Sequence, residues 1–174
     1  AIVSMMKDPK NIETWMKRHR ELGIRHFFIR LEPSDDDKKE DSDYLLSQPD
    51  VTIAKGQSDG VNEYENIQTR QIQWVNDALK RAARVPGLEW LIHVDSDEIV
   101  VGNLASLLKL PSSVRTVWFQ NKEAKFPDVP LSSDSCFDAS RFVNCATESG
   151  CAAYANGKSA GRVAPDVSAH GPHR

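Results

Sequence analysis

Three carboxylates in four residues close an apolar run at Glu89-Trp90-Leu91-Ile92-His93-Val94-Asp95-Ser96-Asp97-Glu98, and no other stretch restricts the fold as much. Trp90 to Val94 is a short, apolar run and reads as a strand buried on both faces. Such strands belong to parallel sheets with helices on either side. Asp95, Asp97 and Glu98 at its end repel one another unless a cation neutralises them. Desolvating that cluster without a partner would cost roughly several kcal/mol. Mg²⁺ or Mn²⁺ takes one or two carboxylates together with the phosphate oxygens of a substrate. The expectation is a metal–diphosphate site at the carboxyl end of a central strand, where open α/β sheets bind ligands.

The chain before this stretch supplies the rest of such a sheet. Ile2 to Met6 reads as a first strand. Asp8 is a candidate N-cap, and Pro9 suits the first helical position. Ile12, Trp15, Met16, His19 and Leu22 recur at helical spacing, and Gly23 can end the helix in the left-handed region. Ile24 to Leu31 is a second strand, which makes the opening a βαβ unit with parallel strands. His19 is expected at the boundary face of its helix, and His26 as a packing or pairing residue. Ser34 to Asp43 is a charged run that reads as a solvated loop. Val51 to Ala54 reads as a short strand and Gly56 to Gly60 as a polar loop. A long helix fits Asn62 to Arg84, stopped by Pro86-Gly87.

After the carboxylate strand, Leu104 to Leu110 predicts a short helix and Val114 to Gln120 a strand. From Asn121 to Gly157 the signals weaken. Phe137 to Val143 reads as a short helix, and substrate-facing loops are expected around it. A short strand near Gly157 to Val163 then leads to a turn at His170-Gly171-Pro172-His173.

A length of 174 residues suits one domain, and the net charge of −3 offers nothing for nonspecific nucleic-acid binding. No apolar stretch is long enough to span a membrane and no signal peptide is visible, so a cytoplasmic location is expected. The chain opens directly into a strand at Ala1 and stops at Arg174 just after a motif-like run, as a piece of a longer polypeptide would. Cys136, Cys145 and Cys151 fit no zinc spacing and no complete disulfide framework.

Asp-x-Asp occurs three times, at Asp35/Asp37, Asp41/Asp43 and Asp95/Asp97. The first two sit in a polar, lysine-containing stretch and read as solvated. Only the third ends a buried strand. Haloacid-dehalogenase-like phosphatases also carry Asp-x-Asp after an apolar strand, but there it ends the first strand and an acidic pair follows later. Here it comes as late as Asp95, with no adjacent Asp pair after it. His170 and His173 each read singly as surface histidines; as a pair in a Gly-Pro turn they gain weight as ligands, since neutral imidazole suits a mixed carboxylate–His site. Lys158 suits a phosphate as a mobile point charge, or is simply solvated. Arg70, near the start of the long helix, either faces solvent or reaches a diphosphate.

In this order the pieces resemble a glycosyltransferase of the GT-A fold, a Rossmann-like α/β domain with a mostly parallel central sheet flanked by helices. More narrowly they are similar to the glycosyltransferase-2-like group, and to glycosyltransferase domains of large algal viruses. The matching runs are Met5-Met6-Lys7-Asp8, Trp15, Leu22-Gly23-Ile24, Ser34-Asp35-Asp36, Trp90 to Glu98, Gly157-Lys158-Ser159 and His170-Gly171-Pro172. The resemblance spans nearly the whole chain and implies a single nucleotide-sugar-binding domain over 1–174. It implies that Ser4 and Met6 border the base and ribose, that Arg70 approaches the nucleotide or diphosphate, and that Lys158 contacts the diphosphate. It implies Asp95 on the ribose or a metal-bound water, Asp97 as a direct metal ligand and His170 as a late one. The acidic residue that usually meets the uracil edge in this fold is replaced by Leu31, so Glu32 or Asp35 is left to substitute. Asp138 and Glu148 are candidate bases for an acceptor hydroxyl.

The expected activity is transfer of a hexose or deoxyhexose from a nucleotide-diphosphate sugar, UDP-sugar favoured, to a glycan acceptor with Mn²⁺ or Mg²⁺. The alternatives are a metal-dependent phosphohydrolase and a noncatalytic nucleotide-sugar-binding module.

Overall fold

The computed structural model describes residues 1–33, 39–56, 63–125, 141–144 and 157–171. In chain order the elements are β1 (Ile2–Met6), α1 (Ile12–Glu21), β2 (Phe27–Leu31), α2 (Lys39–Ser47), β3 (Val51–Lys55), α3 (Glu63–Ala82) and β4 (Trp90–His93). A 3₁₀ helix (Leu104–Lys109), β5 (Thr116–Phe119), β6 (Lys122–Lys125), β7 (Arg141–Asn144) and β8 (Lys158–Arg162) follow. Six strands form one sheet in the order β3-β2-β1-β4-β8-β5, and β6 pairs with β7 in a separate antiparallel ribbon.

β1, β2, β3 and β4 are mutually parallel. β8 lies antiparallel between β4 and β5. The sheet is therefore mixed but mostly parallel. From β1 the chain steps outward through β2 to β3, then α3 carries it back to β4 on the other side of β1. That reversal puts a topological switch point between the carboxyl ends of β1 and β4, where open α/β sheets bind ligands.

Alternation along the strands divides the core into two layers. On one face Ile2, Met6, Phe27, Ile29, Trp90 and Ile92 pack with Ile12, Trp15 and Met16 of α1. On the other, Val3, Phe28 and Leu91 pack with Trp74, Ala78, Leu79 and Ala82 of α3. Trp74 Nε1 also donates to the Ser4 carbonyl at 3.0 Å, which ties α3 to β1. Among the described residues, no helix is long and apolar enough to cross a membrane.

Several local expectations are corrected. α1 begins at Ile12, not at Pro9, because Asp8 and Asn11 both take positive φ (48° and 55°) and turn the chain before the helix starts. Asp and Asn tolerate that conformation better than most residues. Gly23 does take the left-handed conformation, with φ 92°. His19 is fully buried, not at a boundary, because it continues the Ile12–Trp15–Met16 stripe. The second half of the charged run is not loop: α2 begins at Lys39, and Leu45 anchors it in the core. Arg141–Asn144 is a strand rather than the end of a helix, since it pairs with β6. His26 packs as expected, with Nε2 2.8 Å from Thr52 Oγ1 and its ring against Phe28.

Candidate functional site

The acidic stretch leaves β4 at the switch point. Val94 still follows the ladder, its N–H donating to the Val3 carbonyl at 3.1 Å. The chain then closes on itself: Glu98 N–H donates to the Asp95 carbonyl at 3.1 Å, and Glu98 Oε2 accepts from Asp95 N–H at 3.0 Å. This reciprocal pair makes a compact turn that holds Asp95 and Glu98 together.

β8 brings the counter-charge. Because it runs antiparallel beside β4, with Ile92 opposite Ala160, its first residue arrives beside the acidic turn. Lys158 Nζ lies 2.6 Å from Asp95 Oδ2 and 3.5 Å from Glu98 Oε2. The lysine side chain is only 10 % exposed. Burial raises the Glu98 pKa above its usual range, the Lys158 ammonium opposes that rise, and the Asp95 carboxylate adds to it.

Asp95 Oδ1 is buried and has no hydrogen-bond donor among the described residues. His93 Nε2 stands 3.6 Å away, beyond hydrogen-bonding distance. A buried carboxylate oxygen without a donor is costly, and it is what a bound cation or a water would relieve. Asp97, within the turn, is exposed.

His93 also lines a small cavity of about 40 Å³ between α3, β4, β8 and the segment 167–171. Asn76 of α3 holds that segment by exchanging hydrogen bonds with Ala169, at 2.8 and 3.1 Å. His170 is exposed, its Nε2 3.1 Å from Ser168 Oγ. Among the described residues, no group of three or more His, Cys, Asp or Glu side chains stands close enough to hold a metal ion. Asp95, Asp97 and His170 therefore do not form a closed protein cage in this conformation. Two carboxylates are nevertheless enough for Mg²⁺, which draws its other ligands from phosphate and water.

A second polar cluster sits where β2 ends. Glu32, 8 % exposed, is gripped by Arg30 Nε at 2.7 Å and Arg70 Nε at 2.8 Å. The Arg70 contact is ionic without an aligned N–H, since that nitrogen makes no hydrogen bond of proper angle. Gly56 leaves the room Glu32 needs: a Cβ there would collide with the Glu32 carboxylate. Arg70 is thus paired with Glu32 rather than free in solvent.

The structure unites Asp95 with Lys158, and Glu32 with Arg70. It places Ser4 and Met6 in the core, both fully buried, with Ser4 Oγ lacking a partner among the described residues. Asp35, Asp138 and Glu148, and the three cysteines, lie outside the described residues. Sequence reasoning passed over Arg30 and His93; the alternation that puts Arg30 on the same face as Glu32 was the available signal. Neither a scan against protein-family models nor a search of curated proteins finds a match for this chain.

Proposed function

We propose that the chain is a metal-dependent glycosyltransferase domain of GT-A type that binds a nucleotide-diphosphate sugar, UDP-sugar favoured, and passes a hexose or deoxyhexose to a glycan acceptor. The observation that carries this reading is the Asp95 carboxylate at the switch point, with one oxygen on Lys158 and the other buried without a donor among the described residues. An acceptor-rich turn with a lysine beside it suits a divalent cation and a diphosphate together.

Asp95 and Asp97 would hold Mn²⁺ or Mg²⁺, which when bound would supply Lewis-acid stabilisation of the departing diphosphate. Lys158 would move its ammonium from Asp95 towards the phosphate oxygens as charge develops there. Glu32, an acceptor-only group fixed by two arginines, would receive N–H donors from the base. Arg70 would add positive charge near the nucleotide.

Thermal denaturation with Mn²⁺ and a panel of nucleotide sugars tests the reading, with product nucleoside diphosphate followed in parallel. A nucleotide at a hundred times its Kd stabilises by about 2.7 kcal/mol. That is roughly 5–10 °C for a domain of this size. Stabilisation by UDP and Mn²⁺ together, lost in Asp97→Ala, is the expected result. Stabilisation by phosphate monoesters instead would point to a phosphohydrolase, and binding without sugar release or transfer to a noncatalytic module. No response to any nucleotide would end the proposal.

A further inference from the structure

Two buried side chains of α1 make hydrogen bonds that leave their own helix, one ending on the backbone of the acidic turn and the other on the backbone two residues beyond it. Trp15 Nε1 donates to the Glu98 carbonyl at 2.7 Å. The Val100 N–H donates to His19 Nε2 at 3.2 Å. His19 Nδ1 lies 2.9 Å from the Trp15 carbonyl. A backbone N–H only donates, so Nε2 is the bare nitrogen and Nδ1 carries the proton given to Trp15. The two rings pack edge to face, with centroids 4.4 Å apart. Ile12 and Met16 fill the same core layer by apolar packing alone.

The internal bonds of the turn, between Asp95 and Glu98, set its shape but not its place. Its place relative to β1 and β4 needs an anchor outside the turn, and α1 supplies two, at Glu98 and at Val100. We propose that Trp15 and His19 are positioning residues, which act on the Asp95–Glu98 carboxylates by holding the backbone that carries them. The proposal rests on the reading of this turn as a cation–diphosphate site. Residues that orient ligands from behind typically alter metal affinity by roughly ten- to a hundredfold when removed.

The test uses Trp15→Phe, which keeps the ring bulk and deletes the N–H, and His19→Leu, which deletes the acceptor. His19→Gln is the conservative partner, since its side-chain oxygen can still accept from Val100. Met16→Leu is a control that perturbs the same core layer through an apolar side chain, with no hydrogen bond to the turn to lose. Two quantities are read below every variant's unfolding transition: Mn²⁺ affinity in the presence of UDP, from the paramagnetic resonance of free Mn²⁺, and amide hydrogen exchange at Glu98 to Val100.

Trp15→Phe and His19→Leu are expected to weaken Mn²⁺ binding by roughly ten- to a hundredfold. His19→Leu should also speed exchange at Val100. His19→Gln should recover most of both effects, and Met16→Leu should stay within about twofold of wild type whatever stability it loses. If one of the two deletion variants does not fold, the other carries the test. Folded deletion variants that bind Mn²⁺ with UDP as wild type does would overturn the proposal alone. A wild-type protein that binds no Mn²⁺ with UDP would overturn the site reading beneath it as well.

Discussion

Lys158 neutralises Asp95 from a strand that runs against its neighbours: the ammonium sits 2.6 Å from Oδ2, across 63 residues of chain. Were β8 parallel to β4, its first residue would lie at the opposite end of the sheet. The reversed direction is what puts a cation at the carboxyl edge.

Lys158→Met should therefore destabilise the protein by about 2 kcal/mol, less than a fully buried pair because Asp95 remains partly solvated. Urea denaturation measures it. The same substitution in an Asp95→Asn background should cost much less, because the uncompensated charge is gone. Equal costs in both backgrounds would mean that the pair contributes nothing to folding.

His19 predicts a pH dependence. Burial lowers its pKa to about 4 from an ordinary 6.5, against a smaller opposing effect of the Trp15 carbonyl. Between those values the unfolded chain takes up a proton that the folded chain refuses. Stability should fall as pH falls through this window, by about 3 kcal/mol in all, and this contribution should flatten below pH 4. Denaturation curves from pH 7 to pH 4 should show the slope in wild type and lack this component in His19→Leu. Parallel pH profiles for the two proteins would refute the assignment.

Arg20 holds Asp50 in a two-pronged pair, Nε to Oδ2 at 2.8 Å and Nη2 to Oδ1 at 2.7 Å. The hydrogen-bonded guanidinium holds the Asp50 carboxyl below its usual 3.8. Its stabilisation is present above that value and is lost as pH falls through the lower folded one. Asp50→Asn should cost about 1 kcal/mol at neutral pH, given how much of the pair is solvated. The difference from wild type should vanish in strong acid, as chemical denaturation at both ends of the range would show.

Gly157→Ala should destabilise by about 2 kcal/mol or more. Its φ is +51°, and a Cβ would run into the Phe119 carbonyl and the Trp118 indole. Because Lys158 follows directly, the substitution should also weaken nucleotide-dependent stabilisation. A melting temperature unchanged from wild type would show that the strand start is more tolerant than its packing implies.

The frame of the fold was legible where periodicity is strong. The Ile12–Trp15–Met16–His19 stripe marked α1, and the short, mainly apolar run from Trp90 to Val94 marked β4. What stayed hidden was set by long-range contacts. Nothing local to Lys158 states that its strand is reversed or that β4 is its neighbour. Leu45, with Tyr44 half-buried beside it, seats α2 in the core, too thin a signal beneath a run of charges. Asp95 and Lys158 could be named from residue type and position, but their pairing depends on strand order. The Trp15 and His19 bonds to Glu98 and Val100 were invisible because a tryptophan on the apolar stripe reads simply as packing and His19 reads as a boundary residue until the loop above them has a place.

The late position of β8 has a consequence for biosynthesis. A nascent chain that has just exposed its acidic turn holds three crowded carboxylates whose ammonium partner has yet to be translated. That corner should mature last, after most of the sheet has already assembled, and a chain interrupted before Lys158 should leave it swollen with water and open to whatever cations the cell supplies.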